Sequence, residues 1–207
     1  LRYKCPVQLF IAATHANSGK LRIFREDELS VDALLASACL PTIHRSIIID
    51  GEPYWDGGYS ANPAVFPLVY QCTSPDILLI LLTPLRYAET PDSAADIRQR
   101  LLELSFNATF LREMRMFAHL REAVGGTWWP KWLPGSRFER RIETLRFHAI
   151  TADSLLGELP PGSKLTVNLP FFERLRDSGR TYALQWLAEH RPSVGMQPSL
   201  DLAKLFY

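Results

Sequence analysis

The residues best suited to chemistry lie in the run Tyr54-Trp55-Asp56-Gly57-Gly58-Tyr59-Ser60-Ala61-Asn62-Pro63. A carboxylate stands before two adjacent glycines, which let the backbone turn tightly and take positive φ at little cost. An aspartate held at such a turn can accept a proton from a nearby hydroxyl, the work of a general base. It can equally be a turn former that hydrogen-bonds its own backbone. Ser60 and Asn62 follow closely and are placed to orient the loop. Ser37, in Ala36-Ser37-Ala38-Cys39-Leu40-Pro41, is flanked by small residues and is a rival nucleophile. A nucleophile elbow needs small residues two positions to either side. Those positions hold Leu35 and Cys39 at a helix end, so Ser37 reads as packing near the site. His15, His44, His119, His148 and His190 are scattered without metal-ligand spacing and read as solvated or core-satisfied side chains.

The elements that must position Asp56 can be read from hydrophobic pattern. Val7 to Ala13 reads as a largely buried strand, and Leu21 to Phe24 alternates after a turn at Asn17-Ser18-Gly19, which together suggest a hairpin. Ser30 is placed to cap a short helix from Val31 to Ala38, which Pro41 prevents from continuing. Ile47 to Ile49 reads as a short strand leading through Asp50-Gly51-Glu52-Pro53 to the Asp56 turn. Pro63 suits the first turn of a helical or irregular segment. Ile77 to Leu82 is the longest apolar run and has the length of a buried strand.

Further along, Pro91 to Val124 is helical in pattern, with one stripe through Ile97, Leu101, Leu104, Ala108 and Leu111. A neighbouring stripe runs through Phe110, Met114, Phe117, Leu120 and Val124, and Gly125-Gly126 ends the helix. Arg146 to Ile150 is a late strand, and Phe171 to His190 a helix despite Gly179. Strands alternating with helices point to an α/β layer architecture. Between these elements, Thr127 to Pro134 places Trp128, Trp129 and Trp132 among a lysine and two prolines. Indoles suit a membrane–water boundary, so the segment is a candidate lipid contact or lid. The plainer reading is a loop packed over the long helix.

Composition narrows the classes of function. The 207 residues carry 23 Lys+Arg against 22 Asp+Glu, a formal net charge of +1, which leaves no electrostatic footprint for nucleic acid. Arg137 to Arg146 interleaves both signs and reads as a solvated face. Cys5, Cys39 and Cys72 show neither metal spacing nor a disulfide framework, and read as free thiols. No apolar run approaches the ~18 residues of a membrane span. Leu1 to Pro6 has neither an initiator Met nor the apolar stretch of a signal peptide, which suggests a segment of a longer chain.

In order and spacing, Ala13-Thr14, Ala36 to Pro41 and Trp55 to Asn62 resemble the second half of the patatin-like phospholipase family. There a strand, a Thr-containing turn, a helix ending in Ala-Ser-x-x-x-Pro and an Asp-Gly-Gly loop follow one another. The resemblance runs from about Val7 to about Tyr70 and loosens beyond Pro84. It implies a three-layer α/β patatin-like sheet flanked by helices, with residues 1–207 the C-terminal part of a single domain and a helical extension from about residue 91. It implies a Ser–Asp dyad in which Asp56 is the base, Gly57, Gly58 and Asn62 complete the motif, and Ser37 lies near it.

The family's serine stands in a Gly-x-Ser-x-Gly elbow and its oxyanion hole in a glycine-rich loop; neither occurs in these 207 residues. The resemblance therefore implies one part of a serine lipid acyl hydrolase, supplying the aspartate, inactive alone, and using no metal or cofactor. Its partners would be a lipid or acyl-ester substrate, a peripheral membrane surface and a missing N-terminal half. Strands neighbouring Val7 to Ala13 would lie in that half. Its place would be the cytoplasm or the membrane periphery. The alternative is a non-catalytic module of the same fold that binds lipid or protein through its aromatic segment.

Overall fold

The computed structural model describes residues 7–87, 90–126, 136–159, 163 and 166–207. The chain divides into two compact units, Leu1–Gln71 with Leu101–Met114, and Cys72–Arg100 with Arg115–Tyr207.

In the first unit, β1 (Phe10–His15) and β2 (Leu21–Arg25) form the hairpin that the alternation suggested, with Phe10 opposite Arg25 and Thr14 opposite Leu21. β3 (Ile47–Ile49) and β4 (Glu52–Asp56) complete an antiparallel sheet of order β2-β1-β4-β3. Asp50 and Gly51 join them with φ of 53° and 82°, the left-handed pair that a two-residue hairpin demands. Two expectations change here. β1 has neighbours on both sides, β2 along Phe10–Thr14 and β4 along Ala13–His15. Tyr54 to Asp56, read as part of a turn, is strand. Pro53 is tolerated because its carbonyl accepts the Ala16 N–H at 2.8 Å. Its missing donor faces that same side, beyond the end of β1, so the ladder to β3 is intact.

The helix α1 (Val31–Ser37) starts where Ser30 accepts the Ala33 N–H at 3.1 Å. Its small buried face, Ala33 and Ala36, lets it lie close to Ala13 and Phe24, with Ile11, Ile47, Ile49 and Tyr54 around them. The helix α2 (Phe66–Gln71) begins three residues after Pro63, whose peptide bond with Asn62 is cis. The Glu113 carboxylate accepts the N–H groups of Val65 and Phe66 at the start of α2. Burial pushes that carboxyl up, against the two N–H bonds.

Glu113 belongs to α3 (Ala94–Gly125), capped by Ser93 at one end and stopped at Gly126 at the other. Of its two apolar stripes, the second is the core face: Phe110, Met114 and Phe117 are buried, whereas Ile97, Leu101 and Leu104 are exposed. Periodicity alone cannot choose between stripes on a helix whose apolar and charged residues are both spread around it.

In the second unit, β5 (Asp76–Ile80) and β6 (Arg146–Ile150) are parallel, Asp76 opposite Arg146. The mixed-sign stretch before β6 is a helix, α4 (Arg137–Thr144), opened by a reciprocal capping box between Ser136 and Glu139. It buries Ile142, and Leu145 after it is buried too, as are Phe147, Leu202 and Phe206 of the same unit. α5 (Asp153–Glu158), α6 (Leu169–His190) and α7 (Leu202–Phe206) follow. A polar knot ties the C-terminal segment to the sheet. Asp76 accepts two bonds from Arg146, at 2.9 and 2.8 Å, one from His148 Nε2 at 3.1 Å and one from the Gly195 N–H at 3.0 Å. Buried His148 meets Ser199 Oγ through Nδ1 at 2.8 Å. The Arg146 guanidinium, aided by these other donors, holds the Asp76 carboxyl well below the usual carboxylate range. On β5 itself the face that carries Asp76 is otherwise exposed: Leu78 and Ile80 are 45 and 63% exposed, and Leu82 beyond the strand is 76% exposed. Both units mix strands and helices, as an α/β fold requires.

Candidate active site

Asp56 ends β4 opposite Ala13, and three bonds fix it. Its N–H donates to the Cys39 carbonyl at 2.8 Å, in the loop after α1. Its own carbonyl accepts the Thr14 hydroxyl at 2.7 Å. Its Oδ1 accepts the Gly58 N–H at 2.7 Å, closing a short 3-10 turn over Gly57–Tyr59. The turn-forming and the proton-accepting readings of Asp56 are therefore compatible, because they use different oxygens. Oδ2 makes no hydrogen bond to a described residue. Burial pushes the Asp56 carboxyl above its ordinary value, opposed by the single Gly58 N–H bond. A carboxylate raised this way is the better proton acceptor. Tyr59 beside it is raised too, by burial and then by the Asp56 charge.

The two glycines serve a different purpose from the one their conformational freedom suggests. Neither takes positive φ; among the described glycines Gly19, Gly51 and Gly195 do. What they provide is room. A Cβ on Gly57 would lie 2.6 Å from the carbonyl carbon of Ala12, inside the backbone of β1. One on Gly58 would lie 2.7 Å from the ring of Phe106 on α3. Phe106 packs at 4.5 Å between centroids against Tyr59, walling the turn.

A pocket of about 250 Å³ opens at Asp56. Ser37, Asp56, Gly57, Gly58 and Asn62 all line it, so the residues singled out from sequence converge on one place. The rest of the lining is apolar, from Phe10, Ala12 and Ile23 on the hairpin and Ala61, Pro63 and Ala64 beyond the turn. Ser37 directs its hydroxyl to the Leu34 carbonyl at 2.7 Å, a bond within its own helix. Ser60 does not line the pocket but touches Thr14, Oγ to Oγ1, at 2.8 Å.

Neither His15 nor His44 lines the pocket; His15 bridges Glu52 at 2.8 Å and Ser18 at 2.7 Å. Trp128, Trp129 and Trp132, the candidate lipid contacts, and Cys5 lie outside the described residues. Cys39 is buried and Cys72 half-buried, and neither forms a disulfide. Among the described residues no group of His, Cys, Asp and Glu is arranged to hold a metal ion, and no helix is long and apolar enough to cross a membrane.

Three supports were not singled out from sequence as site residues. Thr14 was legible only as part of a strand-end motif. Cys39 acts through its carbonyl, which no sequence pattern marks. Phe106 lies 48 residues beyond Gly58 in the chain, on a helix whose inward face the pattern left open.

Comparison with known proteins bears on this same segment. Residues 3–69 match the family described as patatin-like phospholipase. That stretch holds Thr14, Ser37, Cys39, Asp56, both glycines and Asn62, so the sequence resemblance and the pocket coincide. The segment is similar to that family, whose description is that of a lipid hydrolase. No curated protein and no solved structure matches the chain.

Proposed function

We propose that this chain supplies the general base of a serine acyl-ester hydrolase acting on lipids, with Asp56 as the aspartate of a Ser–Asp dyad. The observation that carries the reading is Asp56 itself. Its backbone is bonded at both N–H and C=O, its Oδ2 makes no hydrogen bond to a described residue, and it lines a pocket of mixed polar and apolar surface. In the reaction, Oδ2 accepts the proton of a serine hydroxyl as the serine oxygen attacks the ester carbonyl. The leaving alcohol departs with a proton, and the carboxylate then activates water to release the acyl group.

The serine and the oxyanion donors come from polypeptide outside these 207 residues, which complete the patatin-like domain. The exposed Leu78 and Ile80 of β5 support this, because parallel strands are ordinarily covered on both faces. Turnover takes place in the cytoplasm or at the membrane periphery, where the tryptophan segment meets lipid.

The test is kcat/KM on p-nitrophenyl esters and a phospholipid for the intact protein and its Asp56→Asn variant, with circular dichroism to check folding. Loss of a general base removes ~100- to 10,000-fold in rate, whereas His15→Gln and His44→Gln should do far less. The 207 residues by themselves should hydrolyse nothing above a buffer blank. A fluorophosphonate label on a serine of this chain, or an active Asn variant, sinks the proposal. Vesicle binding without turnover by the intact protein indicates the binding module instead.

A further inference from the structure

We propose that Thr14 is a positioning residue: with Ser60 it forms a hydroxyl relay that holds the Asp56 turn in its proton-accepting attitude, a role that rests on the dyad reading. The direction of the relay follows from proton counting. The Asp56 carbonyl can only accept, so the single Thr14 hydroxyl proton is committed to it at 2.7 Å. The 2.8 Å contact between Thr14 Oγ1 and Ser60 Oγ must then have Ser60 as donor. The other acceptor near Ser60, the Gly57 carbonyl, is at 3.4 Å. The chain Ser60 O–H to Thr14 O–H to Asp56 C=O therefore grips both ends of the turn that the Gly58 N–H closes from within. Successive hydroxyl bonds polarise one another in a dry setting, and Thr14 is 4% exposed.

Packing alone does not explain the hydroxyl. Thr14 stands on β1 between β2 and β4, opposite Leu21 and Trp55, where valine has the same shape and a higher apolar content. The hydroxyl matters only for what it bonds. β1 is paired with both neighbours, so Thr14 is a rigid anchor for a turn whose other bonds are the Gly58 N–H on Oδ1, the Asp56 N–H on the Cys39 carbonyl, and the Ser60 and Ala61 N–H groups on the Gly57 carbonyl.

The experiment follows the Asp56 carboxyl by 13C NMR titration in the full chain, and kcat and KM in the intact esterase. The variants are Thr14→Val, Thr14→Ser and Ser60→Ala. The valine variant should lose roughly 10- to 100-fold in kcat with KM within about twofold, the signature of a misplaced group that still binds substrate. The Asp56 midpoint should fall towards the ordinary carboxylate value as the turn loosens into water, while Glu113, half-buried in the same unit, stays put. Thr14→Ser should restore both. Ser60→Ala should shift Asp56 the same way by less, and it decides the question if the valine variant fails to fold. An Asp56 midpoint unmoved in the valine and alanine variants, or a loss that serine does not restore, overturns the relay. An inactive wild-type esterase or an active Asp56→Asn variant overturns the dyad reading instead, and the titration still decides the relay.

Discussion

Alanine at Gly57 and at Gly58 should have different consequences, although the two positions are adjacent and chemically identical. An ordinary carbon–carbon contact is ~3.5 Å or more, so a Cβ at 2.6 Å from the Ala12 carbonyl carbon overlaps it deeply. The atom it strikes is backbone, paired with β2 at Ile23 and next to Ala13 where the β4 ladder begins, and cannot step aside without disturbing those ladders. Overpacking in a pliable core costs ~1–3 kcal/mol, and this one meets no pliable group. Alanine also gains about 0.4–1 kcal/mol by restricting the unfolded chain. Gly57→Ala should therefore destabilise by about 3 kcal/mol or more. At Gly58 the main obstacle is the Phe106 ring at 2.7 Å, a side chain that can rotate, with Asp56 Oδ1 a lesser one at 3.1 Å, and the net cost should be about 1 kcal/mol.

The assay is urea unfolding followed by circular dichroism, with amide exchange at Ala12 and Ala13 as a local probe. In a Phe106→Ala background the cost of Gly58→Ala should vanish and change sign, whereas that of Gly57→Ala should persist. A Gly57→Ala variant within ~0.5 kcal/mol of wild type, or a Gly58→Ala cost indifferent to Phe106, would refute the argument that these glycines are there for space.

Three further outcomes follow from the same physics. Asp56 is raised in the folded state, so its ionisation works against folding, and the stability it contributes when protonated is lost as pH rises through the folded value. Thermal melts should accordingly find Asp56→Asn at least as stable as wild type near neutral pH, with the gap closing below about pH 4. Asp76 is lowered, so its contribution is present above the ordinary carboxylate range and lost as pH falls through it. Asp76→Asn should cost about 2 kcal/mol at neutral pH and flatten that acid limb, which urea titrations across pH would read. Gly179 lies inside α6 with nothing within 4 Å of a Cβ, so Gly179→Ala should gain about 1 kcal/mol by the same measurement.

Local signals in the sequence carried the elements whose causes are local. The Ser30 cap, the β1–β2 hairpin and the two strands of the second unit all rest on patterns within a few residues. The α4 capping box, Ser136 and Glu139, was equally local, but the dense charge around it looked like a solvated face and hid Ile142. Where sequence reading failed, the cause was distance along the chain. β4 was obscured by Pro53, whose harmlessness depends on where β1 ends. Gly57 and Gly58 were recognised as a turn signal, yet their reason lies with Ala12 and Phe106. The Asp76 knot joins residues 51 and 72 positions apart, separations at which single-sequence patterns say nothing about contact.

The Asp56 arrangement separates two demands that usually conflict. A carboxylate can be fixed by giving it several N–H bonds, but each such bond stabilises the charged form and weakens it as a base. Here most of the fixing is done elsewhere on the residue. The amide donates to Cys39 and the carbonyl accepts from Thr14, both neutral bonds that leave the proton affinity of the side chain alone. The carboxylate takes one N–H, from Gly58, and burial outweighs it. Burial is possible because the two glycines let the turn sink against β1 and Phe106 without a methyl group in the way. Position thus comes from the backbone and basicity from desolvation. A residue needed only to shape a turn would be better served by more bonds to its carboxylate and less burial, so the Oδ2 that no described residue bonds is the feature that a structural role alone does not require.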